Sequence, residues 1–200
     1  RSLPGNYVQT LHVDSANRIW LAVEGHGLQQ MDASHTGFSS MPLGKEAGVA
    51  DVWAIVSNGD GSVWFGTFGN GLFRLLPDGR LLHYLPTPGK PGLPDENVLS
   101  LAFDAGGTLW IATDRGVLRM RNGVISAIGV KQGLPVATIF QIVTDTYGNF
   151  WLTSNRGVIY VTRADMDAAA GSPVAKIKAV TFAEADGMGS AQCNGSAGCS

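Results

Sequence analysis

The sequence has few of the residues that carry chemistry in most enzymes and metal proteins. Only two of its 200 residues are cysteine and four are histidine, and no two histidines have the spacing of a metal-binding pair. It contains no Gly-x-Ser-x-Gly elbow and no phosphate-binding glycine loop. We therefore expect no cofactor, no metal and no catalytic residues in this segment.

Charge and long apolar runs are also scarce. Acidic and basic residues make up 15% of the chain, and its formal net charge is −2, which does not indicate nucleic acid or an anionic membrane surface as a partner. No run approaches the roughly 20 apolar residues that span a bilayer. The sequence begins at Arg1, inside a repeat and without a signal peptide, so we expect a mature segment. Any contact with a membrane is then expected through other parts of a longer protein.

The two cysteines, Cys193 and Cys199, stand in a flexible CNGSAGC segment. In an oxidising compartment they are able to close a small disulfide loop. The alternative is two small, half-buried residues in a tail. Zinc would need further ligands, and no other cysteine or histidine stands nearby.

Glycine is abundant, with 27 residues, and one motif occurs four times. Each copy reads as a turn, an apolar strand with a central tryptophan, a second turn and another apolar strand. The tryptophans are separated by 44, 46 and 41 residues and are Trp20, Trp64, Trp110 and Trp151. A fixed period of this size predicts stacked all-β repeats.

The columns of the aligned copies predict the fold of each repeat. Aliphatic residues twelve and nine positions before the tryptophan frame a first strand. Asp or Asn six before it, and Gly or Asn three before it, suit a hairpin turn with a left-handed residue; NGDGS only faintly resembles a calcium loop and lacks its carboxylates. Because apolar residues flank the tryptophan on both sides, we expect it to be a packing wedge between two sheets.

Each repeat thus predicts a four-stranded antiparallel meander, and such sheets stacked around an axis form an all-β β-propeller. In the last copy, Thr162 and Asp165 predict the cap of a short helix that ends at Gly171, with Ile177 to Phe182 as the fourth strand. We place blades at about residues 6–48, 49–92, 93–133 and 134–183 of a single segment, 1–200, with 184–200 as the run-in to a further blade. We favour an arc of a larger ring, whose open ends would make the chain self-associate, for example as a homodimer.

The shared unit, apolar-x-x-apolar-x-x-Asp-x-x-Gly-x-Trp-apolar-small-Thr-x-x-Gly-Leu, resembles the two-component regulator propeller repeat over residues 3 to 165. The second copy, VWAIVSNGDGSVWFGTFGNGLFRL, fits best, and the first departs from the unit at Asn17 and AVEG. The resemblance implies a periplasmic, ligand-sensing and non-catalytic propeller of about seven blades. It also implies a one-pass bacterial receptor with a histidine kinase or diguanylate cyclase domain elsewhere in the chain.

Candidate ligand-binding residues are the tips of the turn after each tryptophan strand, because loops on a rigid scaffold usually carry binding. They are Glu24, His26, Phe68, Asn70, Asp114, Arg115, Asn155 and Arg156. The junctions before the first strands belong to the same predicted rim, and they are Asn6, Tyr7, Asp51, Trp53, Glu96, Asn97, Thr138 and Phe140. Such a mixed rim suits a small polar or saccharide-like ligand or a partner protein; the alternative is ordinary solvated turns.

Two other functions stay open. The repeat is also similar to that of the virginiamycin B lyase propeller, and an enzyme of that kind needs a histidine and an acid that converge with a metal. Glu24 and His26 are the local candidates for this chemistry. The remaining alternative is a purely structural protein-interaction propeller.

Overall fold

The computed structural model describes residues 2–32, 34–41, 51–86, 92–94 and 96–193. In these residues the strands form four sheets of four consecutive strands each. The first sheet contains β1 (Val8–Val13), β2 (Ile19–Val23), β3 (Gly27–Met31) and β4 (Phe38–Ser40). The second contains β5 (Asp51–Ser57), β6 (Val63–Phe68), β7 (Leu72–Leu75) and β8 (Leu81–Tyr84). The third contains β9 (Val98–Phe103), β10 (Leu109–Thr113), β11 (Gly116–Arg121) and β12 (Val124–Ile128). The fourth contains β13 (Gln141–Thr144), β14 (Phe150–Ser154), β15 (Gly157–Val161) and β16 (Val180–Phe182).

Every sheet is a meander, because its strands pair antiparallel in sequence order. In the described part of the chain, extensive contacts between sheets join only consecutive ones: β5 packs on β1 and β2, β9 on β5 and β6, and β13 on β9 and β10. The sheets are therefore stacked like the blades of a β-propeller. This confirms the predicted fold class.

The turn chemistry of the repeat is also confirmed. The residue three before each tryptophan has a positive φ, which is 57° at Asn17, 79° at Gly61, 75° at Gly107 and 81° at Gly148. In the first, third and fourth repeats the aspartate three residues earlier accepts hydrogen bonds from backbone N–H groups two and four residues on, as Asp14 does from Ala16 and Arg18 at 2.9 Å. Hydrogen bonds within the turn itself thus close the hairpin.

Three apolar layers hold the blades together. At the second junction, Trp64 and Leu72 of one sheet are buried against Val98 and Leu101 of the next. Equivalent residues form the first and third layers, with Trp20 and Trp110 at their centres. The tryptophan is thus a wedge between sheets, as expected, and the small residue two positions later lets the sheets approach. A Cβ on Gly66, for instance, would lie 2.9 Å from the Cβ of Val98.

The two outer faces of the arc are more exposed than their internal counterparts. Leu11 on β1 is 54% exposed, whereas Ile55, the equivalent residue of the second sheet, is 6% exposed. At the other end Trp151 is half-buried, whereas Trp110 is fully buried. Each outer face therefore has the composition of a blade junction but lacks the packing of one among the described residues.

The insertion in the fourth repeat contains the predicted helix, α1 (Arg163–Gly171), whose N-cap Thr162 accepts a hydrogen bond from the Asp165 N–H. The fourth strand is shorter than expected and begins at Val180. The reason is that Ile177 turns toward the third blade, where its N–H donates to the carbonyl oxygen of Gln132 at 2.8 Å. None of the described helices is long and apolar enough to cross a membrane.

Two sequence predictions concern residues that are only partly described. Cys193 is half-buried, whereas Cys199 lies outside the described residues, so their disulfide stays a prediction. The boundary between the first two blades, at residues 48 and 49, also lies outside them.

Candidate functional site

The predicted rim residues lie at one edge of the stacked sheets. The start of each first strand pairs with the end of the following tryptophan strand, as Asp51 does with Phe68 and Val98 with Thr113. The turn after the tryptophan strand therefore stands next to the junction that precedes the first strand. The structure thus brings together the two sets of residues that the sequence placed on one rim.

The best-connected part of this rim lies between the second and third sheets. The rings of Trp53 and Phe68 are stacked with centroids 5.6 Å apart, and Phe68 is 49% exposed. The next residue, Gly69, donates its N–H to Asn97 Oδ1 at 2.9 Å, and Asn97 Nδ2 donates to Asp114 Oδ2 at 2.6 Å. One side chain, Asn97, thus fixes the turn tips of two blades relative to each other. We call Trp53, Phe68, Asn97 and Asp114 the rim cluster.

The tip of the first blade and Asn70 make contacts of their own outside this cluster. Glu24 and His26 are exposed, and His26 Nδ1 lies 2.8 Å from the backbone carbonyl oxygen of Glu24, so the histidine contacts the backbone of Glu24. Asn70 is half-buried, and its carbonyl oxygen lies 2.8 Å from His83 Nε2. In the residues that the structure describes, no group of three or more His, Cys, Asp or Glu side chains is arranged to hold a metal ion.

The tips of the third and fourth blades are held by hydroxyl groups. Thr113 Oγ1 accepts from the backbone N–H of Arg115 and donates to the carbonyl oxygen of Gly116. Ser154 makes the equivalent pair of bonds to Arg156 and Gly157. Arg115, Asn155 and Arg156 are exposed, and Asp114 is half-buried. Hydrogen bonds thus hold the backbone of each tip, and Arg115, Asn155 and Arg156 supply its exposed side chains.

Sequence reasoning missed a second feature, in which the turn aspartate binds the tryptophan of its own blade. The indole Nε1–H donates to a carboxylate oxygen six residues earlier. The donor–acceptor distances are 2.9 Å for Trp20 and Asp14, 2.9 Å for Trp110 and Asp104, and 3.3 Å for Trp151 and Asp145. The constant six-residue spacing between the aspartate and the tryptophan could have indicated this hydrogen bond, but the role of the aspartate in the turn explained the same spacing.

These contacts keep the turn carboxyls ionised. Burial on its own would raise the pKa of Asp14, but hydrogen bonds from the Trp20 indole and from Arg18 outweigh it and lower the pKa below its ordinary value. The same holds for the pKa of Asp104, where burial is outweighed by the Trp110 indole, the turn backbone and the charge of Arg163. The perturbed carboxyls therefore serve the blade architecture, at the edge opposite the rim.

The second blade departs from this pattern. Asn58 replaces the aspartate, and Trp64 Nε1 is buried without a hydrogen-bond partner among the described residues. Asp60, two residues on, carries the negative charge of this turn instead and binds Arg74 at 2.6 Å. A second carboxylate at position 58 would lie next to that of Asp60, which gives an electrostatic reason for asparagine there.

Comparison with a protein family supports the resemblance seen in the sequence. The family described as "Two component regulator propeller" matches residues 2–25 and 92–115. These segments contain Trp20 and Trp110 and are the same part of the first and third repeats. The second copy, which we expected to fit best, is not among the matched segments. No curated protein sequence matches the chain.

Similar solved structures share the fold at low sequence identity. The extracellular domain of the hybrid two-component system BT3049 from B. thetaiotaomicron is 19% identical with a TM-score of 0.76, over 96% of this chain and 25% of that one. The corresponding domain of BT4673 is 24% identical with a TM-score of 0.62, over 78% of this chain and 21% of that one. Virginiamycin B lyase from Staphylococcus aureus is 14% identical with a TM-score of 0.65, over 90% of this chain and 58% of that one.

The chain thus spans about a quarter of the BT3049 domain and little more than half of the lyase. At these identities the structural likeness shows the fold alone. The chain is a segment with the β-propeller fold, and residues 2–25 and 92–115 of it match the two-component regulator propeller repeat.

Proposed function

We propose that this segment is the extracytoplasmic sensing propeller of a bacterial transmembrane signalling receptor, and that it binds a small polar or saccharide-like ligand at its rim without chemistry of its own. The matched repeats and the similarity to extracellular domains of hybrid two-component systems support the receptor context. We place it in the periplasm for the same reason. The output domain, kinase or cyclase, would lie elsewhere in the full-length chain.

The rim cluster is the observation that carries the binding proposal. An exposed aromatic face next to hydrogen-bonding groups is what a sugar ring needs, because one side of such a ligand is apolar and its edge is polar. Phe68 offers that face, and it is supported from behind by Trp53. Asp51, which is exposed and pairs with Phe68 across the strands, and the half-buried Asp114 supply acceptors. Since Asn97 fixes both turns, the site is preorganised, which lowers the entropic cost of binding.

A propeller enzyme is the second candidate, because virginiamycin B lyase is among the similar structures. Its local candidates are Glu24 and His26, and the imidazole of His26 lies against a backbone carbonyl. This geometry favours the sensing function. If the enzyme hypothesis is correct, Glu24→Ala and His26→Ala must each abolish turnover of a lyase substrate; unchanged turnover would exclude these residues.

Calorimetric titration of the chain with neutral oligosaccharides, maltotriose and cellotriose among them, tests the binding proposal. We expect Phe68→Ala and Trp53→Ala each to weaken binding by about tenfold or more, the typical effect of truncating a central aromatic contact. Tyr147→Ala is the matched control, because Tyr147 is an aromatic residue 86% exposed in the β13–β14 turn at the opposite edge of the sheet. Equal affinity in the Phe68 and Tyr147 variants would refute binding at the rim cluster.

The receptor context has its own test, which does not depend on the ligand. Determining the coding sequence around this segment should reveal a membrane-spanning helix followed by a kinase or cyclase domain. A complete chain that contains a propeller but neither of these parts would contradict the proposal and favour a structural interaction propeller.

A further inference from the structure

Three of the four blade tryptophans have a guanidinium group over the ring. The distances from the guanidinium carbon to the ring centroid are 5.3 Å for Arg18 on Trp20, 4.9 Å for Arg74 on Trp64 and 5.7 Å for Arg163 on Trp110. Each guanidinium also binds a turn carboxylate, and these pairs are Arg18 with Asp14, Arg74 with Asp60 and Arg163 with Asp104. Every internal junction thus combines a tryptophan, a carboxylate and an arginine.

The arginine comes from a different place in each blade. Arg18 stands two residues before its tryptophan, and Arg74 lies opposite its tryptophan on the third strand of the same sheet. In the third blade neither of these positions places a guanidinium over the tryptophan. Thr108 stands two residues before Trp110, and Arg119, which lies opposite Trp110 on the third strand, binds Asp167 at 3.5 Å. The guanidinium over Trp110 comes instead from the next blade, from Arg163 at the start of α1.

The fourth blade has the tryptophan and the carboxylate. Asp145 accepts from the Trp151 indole at 3.3 Å and from the turn residues Tyr147 and Asn149. Among the described residues no arginine or lysine is paired with Asp145 or placed over the Trp151 ring. Asn149 stands at the position of Arg18, and Tyr160 at the position of Arg74. Neither source within the blade is therefore available.

The surface around this pair has the composition of a blade junction. Trp151 is stacked with Phe182 at 5.9 Å, as Trp64 is with Tyr84 at 5.6 Å in the second blade. Val158 is half-buried, whereas the equivalent Val117 is fully buried against the fourth sheet. The chain that follows the fourth blade also contacts its tryptophan strand as at an internal junction. The Cys193 N–H donates to the Ser154 carbonyl oxygen at 3.0 Å, as the Ile139 N–H donates to the Thr113 carbonyl oxygen at 3.1 Å.

We propose that Trp151 and Asp145 form a guanidinium-binding site, and that the β-sheet polypeptide which packs on this face of the fourth sheet places an arginine there. The third blade is the precedent, because its own Arg119 pairs with Asp167 and the guanidinium over Trp110 comes from Arg163 of the next blade, at the start of α1. Arginine suits the site better than lysine, since a planar guanidinium stacks on the indole and donates to the carboxylate at the same time.

The site is tested within the chain by placing arginine where the second blade has it. Tyr160→Arg places a guanidinium opposite Trp151, as Arg74 lies opposite Trp64, and Tyr160→Gln is its neutral match, since Gln30 occupies this position in the first blade. The turn carboxylate available to it is Asp145, because Tyr147 stands where the second blade has Asp60, the partner of Arg74. We expect the Arg variant to melt about 2–4 °C above the Gln variant. The difference should disappear in the Asp145→Asn background, which keeps the turn as Asn58 does. Equal melting temperatures of the two Tyr160 variants would overturn the site.

The incoming arginine is tested with a peptide of residues 157–163, GVIYVTR, which in the fourth blade reaches Trp110 with Arg163. The control peptide carries citrulline in place of Arg163, because citrulline has nearly the shape of arginine without its charge. The readout is the indole Nε1–H resonance of Trp151 in ¹⁵N-labelled chain, assigned with Trp151→Phe. We expect the arginine peptide to shift this resonance at about tenfold lower concentration than the citrulline peptide.

Three results would overturn the inference. One is an equal response to both peptides, and another is no shift of the Trp151 resonance with either. The third is a dimer, seen in sedimentation velocity, that Trp151→Glu abolishes and Asp145→Asn leaves unchanged, because a second copy would then cover this face without a guanidinium.

Discussion

Replacing Asp104 by asparagine should destabilise the third blade far more than the same change at Asp145. The Asp104 side chain is only 4% exposed and accepts four groups: the backbone N–H of Gly106 and of Thr108, the Trp110 indole, and the Arg163 guanidinium. Asparagine keeps one acceptor oxygen for the turn backbone. Its amide group, however, is a donor, and it would face the donors of Trp110 and Arg163.

The second blade shows the outcome of this change. Asn58 stands at the equivalent position, and the buried Trp64 Nε1 has no partner among the described residues. A buried donor left without a partner costs about 1–3 kcal/mol, and the pair with the partly exposed Arg163 adds at most about 1 kcal/mol. We therefore expect Asp104→Asn to lower the free energy of unfolding by about 1–4 kcal/mol. For a chain of this size that corresponds to a decrease in Tm of about 2–16 °C.

Urea unfolding followed by circular dichroism measures this effect, and a double-mutant cycle with Trp110→Phe isolates the indole contact. Phenylalanine removes the N–H group, so Asp104→Asn should cost clearly less in the Trp110→Phe background. Asp145→Asn is the control, because its indole contact is longer, at 3.3 Å, and Trp151 is half-buried. An equal cost with and without the indole N–H would refute the argument that the carboxylate is needed for Trp110.

Two further predictions concern the blade junctions. Gly66→Ala should destabilise the chain by about 1–3 kcal/mol, because the new Cβ would lie 2.9 Å from Val98 Cβ and 3.1 Å from its carbonyl oxygen; Gly59→Ala, which meets no atom within 4 Å, should be close to neutral in the same urea titration. The stability that Asp14 and Asp104 contribute should be lost in acid, because their folded pKa values lie below the unfolded one. That contribution is complete above about pH 4 and falls as the pH drops through the lowered folded values. The stability difference between wild type and Asp104→Asn should therefore shrink below about pH 4, and a difference that does not change with pH would contradict it.

The rim shows how far sequence reasoning reached toward a site. The repeat pattern predicted that turn tips and strand junctions share an edge, and the register of Asp51 with Phe68 confirms this. It did not predict that Asn97 links Gly69 to Asp114, because that contact joins two blades. Whether any of these residues binds a ligand stays a proposal.

The sequence alone determined the blade. Its aliphatic columns, its turn residues and the cap at Thr162 act through neighbours in the chain or in the same meander, so one repeat contains the information and four copies reinforce it. Tertiary structure decided what each repeated position contacts. Trp20, Trp64, Trp110 and Trp151 occupy the same position of the repeat, yet their arginines come from a turn, from a third strand, from the helix of the next blade, or from none of the described residues. The physical reason is that these side chains lie at interfaces, where the neighbouring sheet supplies the burial and, for Trp110, the neighbouring blade also supplies the charge.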